Sequence, residues 1–424
     1  MPGDIFYVST PIYYPNDVPH VGTAYTTIAA DCIARFQRML KGSENVFFLT
    51  GTDEHGQKIE QAAKERGNEP QEYVDKMVSA FQEVWRKMNI SNDDFIRTTQ
   101  PRHEIAVQKI FKKLLENGNI YKSEYEGWYC VHDETFWLPS QLVDGNKCPN
   151  PECGREVQLV REDGYFFRLS DYADRVLAHV EENPNFVRPE SRRNEVISFI
   201  NQGLQDLCIT RKKLKWGIQF PDDPEYTIYV WVEALCNYLT AIGYPDGNPE
   251  FFRKIWPANI HLLAKDILRF HAIIWPAMLM ALELPLPECV FAHGWLVMEG
   301  AKVSKSKGGF RNLAEMINDY GPDSIRYFLL REATFGLDME FSEEALLRRY
   351  NSELGNDLGN LLNRSLGMLH KYCNGIVPEA RDKNEADYKL LEMFDSVPEK
   401  FRAHMENVEF RSALETLWEL VVGL

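Results

Sequence analysis

Long hydrophobic runs are missing from this chain of 424 residues: none approaches the ~20 apolar residues that cross a bilayer, so no membrane span is expected. No leader is expected either. Met1-Pro2-Gly3-Asp4 leads straight into Ile5-Phe6-Tyr7-Val8 without a basic, apolar segment, and a cytoplasmic location is the default expectation. The sequence holds no internal repeat and no low-complexity tract, which argues against a solenoid or an extended linker. Positive charge is in deficit, with 47 basic against 63 acidic residues and a net charge of −16. Such a balance disfavours indiscriminate nucleic-acid binding but leaves room for a local basic stripe. Arg192-Arg193, Arg211-Lys212-Lys213-Leu214-Lys215 and Arg348-Arg349 are the candidate stripes, though each reads more readily as an ordinary solvated face. Cysteine is sparse. Of the eight, Cys32, Cys208, Cys236, Cys289 and Cys373 are scattered in apolar patterns and read as buried thiols, while three cluster. In a reducing compartment, a cluster points to metal rather than disulfide.

What is present is enough apolar material for several cores: 44% hydrophobic and 26% charged residues, in a length suited to two to four domains. Residues 1–118 alternate strand and helix signals. Ile5 to Thr10 reads as a buried strand, and Thr23 to Leu40 as a helix with Ile28, Cys32, Ile33, Phe36 and Met39 at helical spacing. A second strand, Val46 to Thr50, ends in Gly51-Thr52-Asp53-Glu54-His55-Gly56, and helices are expected around Tyr73 to Met88 and His103 to Asn117. From Ile120 the pattern turns to short aromatic segments, turns and the cysteine cluster. The α/β pattern resumes with strands at Tyr226–Val232, Ile260–Ala264 and Val290–Val297, and a helix over Asp266–Leu282. Helices follow at Leu313–Tyr327, Ser342–Tyr372 and Tyr388–Leu424, the middle one with an apolar face of Leu346, Tyr350, Leu354, Leu358 and Leu361.

Three features carry chemistry. Pro19-His20-Val21-Gly22-Thr23 lies between the first strand and the first helix, where an open α/β sheet places an anionic ligand at a helix start. Gly22 allows close approach to the backbone, and His20 is either a phosphate donor or a helix cap. Lys302-Val303-Ser304-Lys305-Ser306-Lys307-Gly308 is a cationic loop suited to polyphosphate. Asp53, Glu54 and His55 follow the end of the second strand and are expected to face the same crevice as His20.

Read together, the first two features resemble the paired HIGH and KMSKS signatures of class I aminoacyl-tRNA synthetases, with Thr23 in place of the second His and Val303 in place of Met. Further stretches make the resemblance specific to the methionyl-tRNA synthetase family over essentially the whole chain. They are Thr10-Pro11-Ile12-Tyr13-Tyr14-Pro15, Thr50 to Gly56, Lys265-Asp266-Ile267-Leu268-Arg269-Phe270-His271, and Asp357-Leu358-Gly359-Asn360-Leu361. The resemblance implies an α/β fold in which a Rossmann-like parallel sheet is split by a small β-rich insertion and followed by a C-terminal helical bundle. It implies a first catalytic half over 1–118, a connective insertion with a zinc-knuckle-like cluster over 119–225, and a second catalytic half with the lysine loop over 226–320. A stem-contact region over 321–352 and a partial anticodon-binding bundle over 353–424 complete the expectation, with the rest of that bundle expected beyond Leu424.

The implied activity joins methionine to ATP as methionyl-adenylate and then transfers it to tRNA(Met). Catalytic roles fall on His20, Lys302 and Lys305, and ATP contacts on His20, Gly22, Thr23, Lys265, Asp266, Lys302, Ser304 and Lys305, with Asp266 placed for the ribose hydroxyls. Ala264 stands where the family has glycine. Asp53 matches the partner of the methionine ammonium. Ile12, Tyr14, Trp231, Ala234, Leu235, Tyr238, Ile267, His271 and Trp275 match the pocket for the thioether, which packs well against aromatic edges. Mg²⁺ should accompany ATP, held chiefly by phosphate oxygens and water. Cys130, Cys148 and Cys153, with Asp133 or His132 as fourth ligand, make a zinc site; a knuckle without metal, held by its own packing, is the alternative. A monomer is expected. Two rivals remain: a class I synthetase for leucine or isoleucine, which the short insertion and aromatic pocket oppose, and a silent RNA-binding paralogue, which has no use for the polyphosphate residues.

Overall fold

The computed structural model describes residues 4–130, 135–137, 139–149, 153–212, 214–298, 301–302, 312–379 and 383–424. Its centre is a six-stranded parallel sheet of β1 (Phe6–Tyr13), β2 (Val46–Thr52), β3 (Asp94–Arg97), β4 (Val187–Arg188), β5 (Ile260–Ala264) and β6 (Val290–His293). The order across the sheet is β3-β2-β1-β5-β6-β4. Both faces are covered, so successive residues of β1 are buried in different cores. Tyr7 belongs to the core that takes in Leu49, Ile96 and Leu263, and Val8 to the opposite one with Phe48, Leu262 and Phe291. The edge strand β4 comes from within the 119–225 stretch and pairs with β6 through Val187–Val290 and Arg188–Phe291.

The helix α1 (Val21–Lys41) crosses the second core. Its periodic positions Ile28, Ile33 and Phe36 are buried as expected, and so are Ala24, Ala29, Ala30 and Ala34, whose small side chains let it lie close to its neighbours. Met39, in the last turn, projects from the end of the core and is 83% exposed, contrary to the pattern reading. Asp31 is also fully buried on this helix, held by Arg35, Arg326 and Ser91.

Three other expectations change. Tyr226–Val232 is not one strand: only Thr227–Ile228 pairs, antiparallel to Thr210–Arg211, and Val230–Leu235 is a helix despite its β-branched start. Burial of Val230 and Val232 in the first core overrides their strand preference. Val290–Val297 breaks after His293, and Leu296–Met298 enters a separate small sheet between Ala301–Lys302 and Met339–Glu340. The break falls at Gly294, where a Cβ would lie 2.2 Å from the backbone of Leu337. The Leu313–Tyr327 helix is two, Leu313–Tyr320 and Pro322–Arg331, separated by Gly321 at φ +75°. Of the five scattered cysteines, Cys236 and Cys289 are buried, while Cys32, Cys208 and Cys373 are only partly buried.

The insertion is built on a long antiparallel pair, Ile120–Cys130 with Gln158–Phe167, running from Ile120 opposite Phe167 to Tyr129 opposite Gln158. Helical structure runs from Glu343 to Cys373, and two further helices, Glu385–Glu406 and Phe410–Gly423, pack on each other and end the chain. Within the expected apolar face Leu346 is buried, but Tyr350 and Leu358 are each 43% exposed. Among the described residues no helix is long and apolar enough to cross a membrane.

Candidate active site

Because all six strands run the same way, their carboxyl ends share one edge of the sheet. Register places Ile12 beside Gly51, Tyr13 beside Thr52, and Ala264 beside His293. The chain reverses its direction of winding between β1 and β5, and an open α/β sheet has its ligand crevice at that point. Tyr14, Asp53, Lys265 and Gly294 each follow the last residue of a strand there.

His20 caps α1. Its Nδ1 accepts the N–H of Gly22 at 3.0 Å and lies 3.4 Å from that of Thr23, so the ring proton of the neutral imidazole is on Nε2. Gly22 is needed for this arrangement, since a Cβ at that position would come 2.9 Å from Cε1 and 3.0 Å from Nδ1 of His20. Cap and donor are therefore compatible: one nitrogen closes the helix and the other can donate.

Asp53 sits on a tightly fixed turn and is 5% exposed. Its N–H donates to the Tyr13 carbonyl at 2.9 Å, tying the end of β2 to the end of β1. Both following side chains turn into buried networks rather than towards a crevice. Glu54 accepts from Arg97 Nε at 2.7 Å and Nη2 at 2.9 Å and from the hydroxyls of Thr52 and Thr99, while its N–H donates to Thr98 Oγ1 at 2.9 Å. His55 Nδ1 lies 2.8 Å from Glu233, and its ring meets Trp216 edge-on. Trp216 in turn donates its indole N–H to the Glu54 carbonyl at 2.6 Å and accepts from Gly56 N–H at 3.1 Å. An open cleft of about 570 Å³ is bounded by Glu60, Lys64, Glu69, Lys215 and Trp216.

Ile12, Tyr14, Trp231, Leu235, Tyr238, Ile267 and Trp275 belong to one apolar cluster, and Ala234 is buried on the same short helix as Trp231. Trp231 packs on Phe270 at 4.5 Å between ring centres, and Tyr238 on Trp275 at 5.9 Å. Within this wall one polar pair is held. His271 Nδ1 contacts the Ile267 carbonyl at 3.0 Å and must be the donor, which leaves Nε2 to accept the Tyr238 hydroxyl at 2.8 Å. Burial pushes the His271 pKa down to about 4, so the imidazole is neutral at physiological pH, and burial pushes the Tyr238 phenol up. The cluster is thus largely aromatic, with a neutral His271–Tyr238 pair held inside it.

On the β5 side, the Lys265 ammonium is paired with Asp338 at 2.7 and 2.8 Å and lies 4.0 Å above the Trp295 ring. Trp295 donates its backbone N–H to Asp338 at 2.9 Å and places its indole nitrogen 3.3 Å from Asp266. Asp266 itself is exposed. Lys302 is a strand residue opposite Val297. Ser304 and Lys305, together with Asp133 and His132, lie outside the described residues.

Cys130 and Cys148 are buried, Cys153 is half-buried, and the three Sγ atoms lie within 4.8 Å of one another. The Cys130–Cys153 separation of 3.4 Å is too long for a disulfide and matches two thiolates on one metal ion. Trp128, Trp137 and Leu142 pack around the cluster. This donor set fits a soft or borderline divalent ion.

Sequence reasoning did not single out Glu233, His103, Trp216, Trp295 or Asp338. Their partners are 29 to 178 residues away, and no local spacing signals such a pairing.

Comparison with known proteins places this geometry. The methionine–tRNA ligase of Caldanaerobacter subterraneus subsp. tengcongensis is 55% identical over 416 residues, 98% of this chain and 64% of that protein. The Bacillus subtilis methionine–tRNA ligase is 50% identical over 428 residues, with the same coverage of 98% and 64%. The chain thus spans about 64% of the length of the curated relatives it matches. The structure of Mycobacterium tuberculosis methionyl-tRNA synthetase in complex with methionyl-adenylate superposes with a TM-score of 0.95 at 45% identity, covering 99% of this chain and 82% of that one. The free-state structure of the same synthetase gives 0.84 at 43% identity, covering 99% and 80%. The profile of tRNA synthetases class I (M) matches residues 6–366, and the chain belongs to that family.

Proposed function

We propose that this chain activates methionine with ATP and, as part of a methionine–tRNA ligase, transfers it to tRNA(Met). The observation that carries the reading is the pairing of two features at one sheet edge. Asp53, nearly buried, follows β2, and Tyr14, which follows the neighbouring β1, belongs to one apolar cluster with Trp231, Tyr238 and Trp275. A carboxylate suits an ammonium group, and an aromatic wall that holds the neutral Tyr238–His271 pair suits a thioether.

In the first step a methionine carboxylate oxygen attacks the α-phosphorus of ATP and pyrophosphate leaves with the electron pair of the broken P–O bond. No protein group bonds to the substrate, so catalysis rests on alignment and on charge placed around the phosphates. His20 Nε2–H and the positive end of the α1 dipole serve the phosphates, with Gly22 and Thr23, whose amides His20 caps, lining the approach. Lys302, Ser304 and Lys305 of the cationic loop are assigned the remaining phosphate contacts, Lys305 being the main cation in the transition state. Asp266 accepts from the ribose hydroxyls, and Lys265, already held by Asp338, borders the nucleotide. Asp53 takes the ammonium; Ile12, Ala234, Leu235 and Ile267 complete the pocket. Mg²⁺ travels with ATP, bound through phosphate oxygens and water. In the second step a terminal ribose hydroxyl of tRNA attacks the acyl carbonyl of the adenylate and AMP leaves.

Zinc on Cys130, Cys148 and Cys153, with Asp133 or His132 as the fourth ligand, would cross-link the insertion and take no part in these steps. The domain roles follow the same plan: catalytic halves over 1–118 and 226–320, the insertion over 119–225, stem contacts over 321–352 and anticodon-bundle helices over 353–424. The protein works as a monomer in the cytoplasm. ATP–pyrophosphate exchange tests the reading, with methionine against leucine and isoleucine. Exchange with methionine alone is expected; exchange with leucine or isoleucine would reassign the pocket, and none at all in folded protein would favour a silent RNA-binding paralogue.

A further inference from the structure

Three segments distant in sequence meet on one buried carboxylate. Glu233 is fully buried on the helix Val230–Leu235, and each of its oxygens faces a histidine: Oε1 lies 2.8 Å from His55 Nδ1, and Oε2 lies 2.8 Å from His103 Nε2. His103 stands in the first turn of the helix Pro101–Glu116 and is fixed from behind by Thr240 Oγ1, 2.8 Å from its Nδ1. His55 is two residues beyond Asp53 and is held from the side by Trp216. On the short helix, Trp231 stands two residues before Glu233 and Ala234 immediately after it.

A helix of six residues has almost no intrinsic stability, so its position is set by what holds it. Apolar packing holds it loosely along its axis; a carboxylate bonded at both oxygens fixes both distance and rotation. Burying such a charge is costly, and an apolar side chain of the same size would fill the space without that cost. What the ion pair adds is therefore placement. Burial opposes charge on both partners, but mutual attraction prevails: the His55 pKa stands above its ordinary value and that of Glu233 below it, so the link stays ionic.

We infer that Glu233 is a positioning residue that sets the distance between the Asp53 turn and the pocket wall carried by Trp231 and Ala234. The site then measures the separation between the ammonium and the side chain of an amino acid, and accepts compounds that satisfy both ends at once. This rests on the methionine reading above and deepens it.

The test compares two ligands on the full chain by titration calorimetry. Methionine uses both ends of the ruler, whereas 4-(methylthio)butanoate keeps the thioether and carboxylate but has no ammonium. Glu233→Gln keeps volume and cannot accept from both histidines, and His103→Gln loosens the carboxylate from the opposite side. In both variants methionine Kd should rise about tenfold, the equivalent of one charge-assisted hydrogen bond, while butanoate binding and KM for ATP change by no more than about twofold. Equal weakening of both ligands, or unchanged methionine binding, in any folded variant overturns the inference. If one variant fails to fold the other decides; if neither folds, the cluster is a folding element and the inference is overturned. Failure of the unsubstituted chain to bind methionine refutes the methionine reading itself, and the ruler with it.

Discussion

Replacing His293 with Gln should make the protein less sensitive to acid. His293 ends β6 with its ring packed 5.0 Å from Tyr25 and 5.3 Å from Phe335. Nδ1 donates to the Gly294 carbonyl at 2.7 Å, so Nε2 accepts from Thr26 Oγ1, also at 2.7 Å. Burial lowers its pKa from 6.5 to about 4. Above pH 6.5 the imidazole is neutral in both folded and unfolded chains and contributes nothing to pH dependence. Below 6.5 the unfolded chain takes up a proton that the folded chain refuses until about pH 4, so stability falls across that window. Working the two titrations through gives a loss of about 2 kcal/mol at pH 5 from this one group. Gln fills much of the same space, keeps a donor and an acceptor, and cannot titrate. Its substitution has some cost of its own at pH 7.5, but that cost is common to both pH values. His271, lowered in the same way, and His55, raised and therefore stabilising at low pH, are present in both proteins and cancel. Urea unfolding followed by tryptophan fluorescence at pH 7.5 and pH 5 measures the difference directly. The parent should lose about 2 kcal/mol more than His293→Gln. Equal losses would refute the claim that this histidine is held neutral by burial.

Other substitutions probe the site piece by piece. Gly22→Ala should push the His20 ring off its cap, costing about 1 kcal/mol in stability and raising KM for ATP; thermal melts and ATP-dependent exchange check both, and unchanged values would contradict the cap. Arg97→Met strands the fully buried Glu54 carboxylate and should destabilise by about 3–5 kcal/mol in urea, whereas Arg97→Lys, which keeps the charge, should cost less. Asp53→Asn should raise KM for methionine far more than KM for ATP, and an equal rise in both would remove Asp53 from the ammonium site. Cys148→Ser should lower zinc content, measured by mass spectrometry of the native protein, from one ion per chain towards none; retention of a full equivalent would exclude Cys148 as a ligand.

The sheet was legible because its strands carry their own signals. The β-branched and aromatic runs Ile5 to Thr10 and Val46 to Thr50 marked both strands but not their ends: β1 runs on through Pro11 to Tyr13, past a register irregularity between Ser9 and Ile12, and β2 through Gly51 to Thr52. Val230–Val232 shows where that reasoning stops: the same residue types fold as helix when tertiary burial and the Glu233 clamp require it. Short motifs located one side of the candidate site, since His20, Asp53 and Asp266 stand next to recognisable strand ends. The partners that hold them were not legible. Glu233, Trp216 and Asp338 carry no local signal of their own and gain meaning only from segments that fold against them. Met39 illustrates the same limit on a smaller scale, for periodicity alone does not say where a helix leaves its core.

The central claim is that this sheet edge joins a methionine carboxylate to the α-phosphorus of ATP. Incubating the protein with ATP and methionine labelled with ¹⁸O in its carboxylate, then cleaving the product with hydroxylamine, reports on that bond directly. The mechanism predicts an enzyme-bound methionyl-adenylate whose released AMP carries one ¹⁸O only if the acyl C–O bond is the one cleaved, together with one pyrophosphate per adduct. Formation of ADP and phosphate instead, or AMP without label, would contradict it.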